Sequence, residues 1–312
     1  MKAVKRFAEF IILLIALGAA LYLNRGAVAE WWRTVSLPEL PVSVTFEQVT
    51  EEVEEVEEEL GEFVEEVSDE VELETEVPVD VEDVDAGEEI DESLEQEGEV
   101  SDDDAEIVED GEEVVEPAVE LPLSINLAVP FTPQAPHADW GEPYKESCEE
   151  ASVYMVERYY EGEPEGLIEA GKADEAIQTI VAFENELFGY YEDTTAEQTG
   201  VFAELMFGRT YELIEDPSVD DLKSHLVQGR PVIIPAAGRL LNNPHFTAPG
   251  PIYHMLVVRG YTEAGQFIVN DPGTYRGEAY LYDFDTLLYA MHDWNGGDEI
   301  TDGRKVALVI YP

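Results

Sequence analysis

Apolar residues fall into three regimes along this chain. From Phe10 to Leu23 they run on without a charge. Such a run suits a short spanning helix or the apolar region of an export signal. From Glu47 to Glu120 they thin out to scattered valines among carboxylates. From Leu121 onward they become periodic, and the period changes partway. Helical spacing comes first, over residues 147–160, where Ala151, Met155 and Tyr159 share a face and Gly162 stands as a stop. It returns over residues 173–188, 195–207 and, after Asp216-Pro217, 219–228. Extended patterns follow. Pro231-Val232-Ile233-Ile234-Pro235 reads as a short buried strand. Residues 255–261 and 266–269 read as a hairpin about Thr262-Glu263-Ala264-Gly265. Residues 277–282 alternate, residues 284–291 suit a short helix, and residues 305–311 suit a last strand. Helices followed by strands predict an α+β domain with a helical lobe against an antiparallel sheet, not an alternating βαβ sheet.

Charge sharpens the division. The 312 residues carry a net charge of −56. Residues 47–120 hold 37 Asp or Glu and no Lys or Arg. Residues 121–312 have 32 acidic against 11 basic side chains, yet enough Leu, Ile, Val, Phe and Tyr for one core. Three segments result: 1–33 as membrane anchor or signal, 34–120 as acidic disordered spacer, 121–312 as the folded domain. Lys2, Lys5 and Arg6 precede the apolar run and put that side inside, with the rest exported. Asn24-Arg25-Gly26 and Trp31-Trp32-Arg33 look like an interfacial flank of a retained single-pass helix. Ala27-Val28-Ala29 offers a cleavage site, in which case the protein is secreted. In the spacer, Val53, Val56, Leu60, Phe63, Val64 and Val67 have helical spacing. Like charges at i, i+4 oppose a helix there and favour a solvated, self-repelling chain.

Composition also excludes several functions. A single cysteine rules out an intramolecular disulfide framework and any zinc site of several thiolates. The acidity argues against nucleic acid as a partner, which needs Lys and Arg clusters. No HExxH, Gly-rich phosphate loop or Ser-centred elbow is present, so neither metal nor cofactor is expected.

The one cysteine, Cys148, opens the first predicted helix, in Glu146-Ser147-Cys148-Glu149-Glu150-Ala151-Ser152. Unsatisfied N–H groups and the helix dipole favour a thiolate there, while Glu146, Glu149 and Glu150 oppose it. His254 opens the strand His254-Met255-Leu256-Val257-Val258 and could tip that balance as the base. Asp271, in Asn270-Asp271-Pro272-Gly273, could orient the imidazole, since the hairpin brings the two ends together. Gln134 and the Cys148 backbone N–H could donate to an oxyanion. Singly, each residue has a plain structural reading: a buried small thiol, a strand histidine, a turn aspartate, a loop glutamine. Together, in this chain order, they form a nucleophile, a base, an orienter and an oxyanion donor. His137, His225 and His292 compete poorly with His254. His245 in Asn242-Asn243-Pro244-His245-Phe246 is the second choice. Trp140, Tyr144 and residues 242–253 are candidate cleft walls.

Residues 125–312 resemble the C-39-like peptidases, the branch of papain-like cysteine peptidases related to those that process bacteriocin leaders. The resemblance rests on Val129-Pro130-Phe131 with Gln134, on Cys148 to Met155, on His254 to Tyr261, and on Asn270-Asp271-Pro272-Gly273-Thr274. It implies a papain-like fold with Cys148 as nucleophile, His254 as base, Asp271 as orienter and Gln134 as oxyanion donor. The expected function is an exported, membrane-tethered cysteine peptidase that cleaves peptide or protein substrates through an acyl-thioester. A thiol amidase or transpeptidase on cell-wall peptides would use the same four residues. A catalytically inactive binding module on an acidic stalk is the third reading.

Overall fold

The computed structural model describes residues 39–51, 121–297 and 299–312. The expected anchor at residues 1–33 and nearly all of the acidic spacer lie outside the described residues. Among the described residues no helix is long and apolar enough to cross a membrane.

The helical part comprises α1 (Cys148–Tyr160), α2 (Ala170–Leu187), α3 (Ala196–Phe207) and α4 (Val219–Val227), with α5 (Phe284–Ala290) late in the chain. Capping chemistry fixes two of the starts. Thr195 with Gln198, and Ser218 with Asp221, form reciprocal capping boxes. Gly208 ends α3 in the left-handed conformation. The strands are β1 (Ile125–Asn126), β2 (Tyr211–Glu215), β3 (Val232–Ala237), β4 (Tyr253–Tyr261), β5 (Gln266–Asn270), β6 (Tyr280–Asp283) and β7 (Val306–Ile310). They form one antiparallel sheet ordered β2-β7-β3-β4-β5-β6, with β1 pairing the far end of β4. The chain is therefore α+β, with helices before most strands, as the change of period predicts. Strand β2 is the element that periodicity alone does not reveal. It is a short segment whose Glu212 and Glu215 stand three apart and break a period of two, and its register on β7 fixes it.

Two features of β4 position the site. All nine of its residues are buried, which is why its sequence reads as a nearly continuous apolar run. On one side β3 pairs with it from Val232↔Val258 to Ala237↔Tyr253. On the other side β5 stops at Asn270, opposite Val257. The first residues of β4, His254 among them, thus border the Asp271 turn and not a strand. At its far end Gly260 lets β1 approach. A Cβ there would lie 2.2 Å from the Ile125 carbonyl oxygen.

Helix α1 packs on β4 and is flanked by α2 and α3. Every residue from Cys148 to Glu157 is buried, including Glu149, Glu150, Ser152 and Glu157. That is unusual for so polar a helix, because a buried carboxylate must find partners or hold its proton.

Residues 39–51, assigned above to the spacer, lie against this body. The Val44 N–H donates to Asn126 O at 2.8 Å and the Ala128 N–H to Val44 O at 2.7 Å. The Asn126 side-chain amide donates to Pro41 O at 3.0 Å. Phe46 stacks edge-on to Tyr159 and Tyr160, and Val49 joins the core. The folded unit therefore includes a short piece on the far side of the acidic stretch. Apolar Val44, Phe46 and Val49, at spacings of two and three residues, carry too short a pattern to announce this from sequence.

Candidate active site

Cys148 is the first residue of α1. Ser147 does not cap the helix with its side chain. Its hydroxyl turns back to Pro143 O at 3.1 Å. The first-turn N–H groups are thereby left to favour negative charge near the thiol. The neighbours of the sulfur decide otherwise. The Cys148 thiol donates to Glu149 Oε2 at 3.1 Å and does not hydrogen-bond to His254. Burial pushes the thiol well above its ordinary pKa, and the Glu149 carboxylate adds to the rise. The Met255 backbone N–H, reaching the sulfur from β4, opposes them without cancelling them. Burial and Glu149, one of the glutamates that the sequence sets against the helix start, thus outweigh the helix terminus in this conformation.

His254 and Asp271 are brought together as the hairpin geometry requires. His254 Nε2 lies 2.8 Å from Asp271 Oδ1, with both side chains buried. Asp271 also accepts from the Gly273 N–H at 3.0 Å, from Asn243 Nδ2 at 3.0 Å and from the Tyr282 hydroxyl at 2.7 Å. Burial pushes its carboxyl up, but His254 and these donors hold it net below the usual range. Asn243 bonds Tyr282 as well, at 2.8 Å, so the loop after β3 and strand β6 both hold the carboxylate. Phe246 packs edge-on to the His254 ring with centroids 5.4 Å apart. Gly273 is required by the same ring, since a Cβ there would sit 2.9 Å from His254 Cε1. With Nε2 committed to Asp271, Nδ1 is the ring nitrogen left for chemistry.

Gln134 reaches the segment that leads into Cys148. Its backbone N–H donates to Pro272 O at 2.9 Å, tying it to the Asp271 turn. Its side-chain amide donates to Tyr144 O at 2.8 Å and to Lys145 O at 3.0 Å. Both donors are therefore engaged, and an oxyanion would have to draw one of them away. Among the proposed cleft walls, Trp140 meets Tyr275 edge-on at 6.2 Å and both are partly exposed. Tyr144 bonds Asp174 and faces α2. His245 meets Tyr280 edge-on, while His292 bonds Gly303 O at 2.9 Å. Asn243 and Phe246 fall within the 242–253 segment expected as a cleft wall and instead brace Asp271 and His254, while Tyr282 is a support that the sequence does not mark. Tyr282 lies eleven residues beyond Asp271 in a plain alternating strand, so nothing local marks it.

Behind Cys148 sits a second carboxyl group of side chains. Glu149, Glu150 and Glu184 are all buried. Glu150 on α1 and Glu184 on α2 repel each other as charges, and the Thr194 hydroxyl donates to Glu184 Oε1 at 3.3 Å. Burial raises all three carboxyls well above 4.5, and their mutual repulsion adds to it. The folded state therefore keeps protons that the unfolded chain has released above about pH 4.5. Stability must then fall as pH rises from there through neutrality, by about 1.4 kcal/mol per pH unit for each proton kept. Thermal melting between pH 5 and pH 8 should show the transition moving down, and Glu150→Gln should flatten the slope. A melting point that climbs over this range would contradict the placement of these carboxyls. Among the described residues no group of three or more His, Cys, Asp or Glu is arranged to hold a metal ion.

The fold and site together define an α+β domain with one cysteine at the start of a helix that packs on β4, the strand that carries the histidine of a buried His–Asp pair. Residues 126–295 match the Peptidase_C39 like family, and the chain belongs to that family. A crystal structure of a provisionally assigned C39-like peptidase from Bacillus anthracis is similar at 16% identity and a TM-score of 0.40, covering 61% of this chain and 98% of that one. No curated protein matches the sequence.

Proposed function

We propose that this chain is a cysteine peptidase that cleaves peptide bonds through Cys148, His254, Asp271 and Gln134. The observation that carries the reading is the 2.8 Å His254–Asp271 bond, buried and braced by Tyr282, Asn243 and Gly273, on the strand that packs under the start of α1. Cys148 opens the helix that packs on β4, and β4 carries His254. In this mechanism the thiolate attacks the substrate carbonyl, and the Cys148 backbone N–H and a Gln134 N–H stabilise the oxyanion. The charged oxygen is a stronger acceptor than the Tyr144 or Lys145 carbonyl, so it draws the amide over as charge develops. Imidazolium at His254 protonates the leaving amine, and the neutral ring then takes a proton from the hydrolytic water. Asp271 holds the ring and offsets its charge.

The domain works outside the membrane, held by residues 1–33 through the acidic segment, or free if cleaved after Ala29. The basic Lys2, Lys5 and Arg6 ahead of the apolar run support that orientation. Amidase or transpeptidase action on cell-wall peptides would use the same groups. Incubating the purified chain with a mixed peptide library and with cell-wall fragments separates them. New amino termini from the library support the peptidase; amines released only from wall fragments would replace it with the wall-directed reading.

A further inference from the structure

Residues 39–51 take no part in the peptidase chemistry, yet several independent contacts build them into the body. Val44 pairs in parallel with Leu127, giving its N–H to Asn126 O at 2.8 Å and taking the Ala128 N–H at 2.7 Å. Asn126 Nδ2 donates to Pro41 O at 3.0 Å. The Ser43 hydroxyl donates to Glu165, the carboxylate that pairs with buried Arg259 of β4. Residues 46–51 are helical, and Thr45 and Gln48 cap that turn reciprocally, Thr45 N–H to Gln48 Oε1 at 2.9 Å and Gln48 N–H to Thr45 Oγ1 at 3.3 Å. Phe46 meets Tyr160 edge-on at 5.1 Å and Tyr159 at 5.9 Å, at the end of α1 away from Cys148. Val49 is buried against Gly229, where a Cβ would stand 3.1 Å from the Val49 Cγ1. After the acidic stretch the chain returns to the same body. The Tyr261 hydroxyl donates to Pro122 O at 2.7 Å, and Ile125 pairs with Tyr261.

We propose that residues 39–51 are a docked strap by which the body is attached, and that the acidic residues 52–120 are a side loop and not the tether. Both ends of residues 52–120 are fixed to one folded unit, so a pull on the N-terminus does not pass along them. The membrane end of this rests on the tethered reading above. Of the spacer 34–120 defined from sequence, only residues 34–38 then separate the expected anchor from the body. Residues 24–38, between the apolar run and the strap, reach at most about 50 Å when fully extended, whereas residues 24–120 would reach more than about 300 Å. The domain therefore works close to the bilayer, on peptide segments that come within that shorter reach. A cut in the acidic loop does not release it. The N-terminal piece stays bound through the strap, and the peptidase stays where the anchor holds it.

A site-specific protease sequence inserted after Gly87 gives the full chain one cut in the acidic loop. The detergent-solubilised chain carries a C-terminal affinity tag and is cut after it has folded. The tagged piece should retain the N-terminal piece through washing, and the two should elute together on gel filtration. Charge does not favour this, since residues 52–120 and residues 121–312 are both strongly acidic. An N-terminal piece that leaves in the first wash would overturn the proposal. Phe46→Ala with Val49→Asp removes an aromatic contact and puts a carboxylate among core side chains. The cut double variant should lose its N-terminal piece about 10²-fold faster. Retention at the native rate would also overturn the proposal, because Phe46 and Val49 would not be what joins the pieces. The readout is association, so it needs neither turnover nor a retained anchor; a chain cleaved after Ala29 still carries the strap. The same cut made in membranes separates the strap from the tethered reading. An uncut chain that does not sediment with the bilayer removes the tethered reading and leaves the strap standing. A body that sediments when uncut and is released by the cut removes the strap.

Discussion

Cys148→Ala is expected to abolish peptide hydrolysis while leaving the folded state nearly intact. The thiol is the one atom in the site able to form an acyl-thioester, and no other cysteine exists to replace it. Its contribution to stability is small for a buried group. The sulfur is bonded to a carboxylate that must itself be accommodated, so removing the thiol exchanges one marginal contact for a little empty space. A loss of about 1 kcal/mol is the scale for such a truncation. Turnover measured on peptide, with a urea melt on the same sample, checks both halves. Residual hydrolysis within tenfold of the native rate would remove Cys148 from the chemistry. A collapse of the urea midpoint would make it a core residue whose catalytic role is unproven.

Asp271→Asn should produce the second-largest effect, a drop in kcat of about 10⁴, the scale known when the orienting carboxylate of a hydrolytic triad is amidated. Asp271 holds four donors: His254, Gly273, Asn243 and Tyr282. An asparagine there can accept on one side only and must turn its own N–H₂ toward other donors or toward the imidazole. Either way the ring is released or held in the wrong tautomer. KM should change little, since Asp271 is buried and does not meet substrate. The variant should also lose acid sensitivity. The Asp271 carboxyl lies below its ordinary value of 3.8, so it contributes stability above that value and loses it as pH falls through the lower folded one. Acid unfolding of Asp271→Asn should therefore lack that component. A kcat within tenfold of the native enzyme would show that His254 does not depend on Asp271.

The sequence made the core of this arrangement legible for a physical reason. Cys148 at a helix start, His254 at the head of an apolar strand and Asp271 just past a hairpin are each placed by local periodicity, and a hairpin is the shortest-range tertiary contact there is. The α+β order likewise follows from where the period changes from helical to extended. What the sequence left hidden depends on longer reach. Tyr282 and Asn243 meet Asp271 only because β6 pairs with β5 and the loop after β3 folds over the turn. The docking of residues 39–51 spans the whole acidic stretch, and neither its composition nor its charge foretells that Phe46 finds Tyr159 and Tyr160. The glutamates beside Cys148 were visible as a difficulty. Burial decided how they act: Glu149 turns onto the sulfur, and Glu150 meets the repulsion of Glu184.

The central claim is that peptide hydrolysis passes through a covalent bond to Cys148. Acid-quenching the full chain during turnover of an activated peptide ester and weighing the protein by mass spectrometry tests it most directly. The account predicts an added acyl mass that maps to the peptide containing Cys148 and disappears in Cys148→Ala. Steady hydrolysis with Cys148 unmodified at every time point, or an acyl group mapped to another residue, would contradict it.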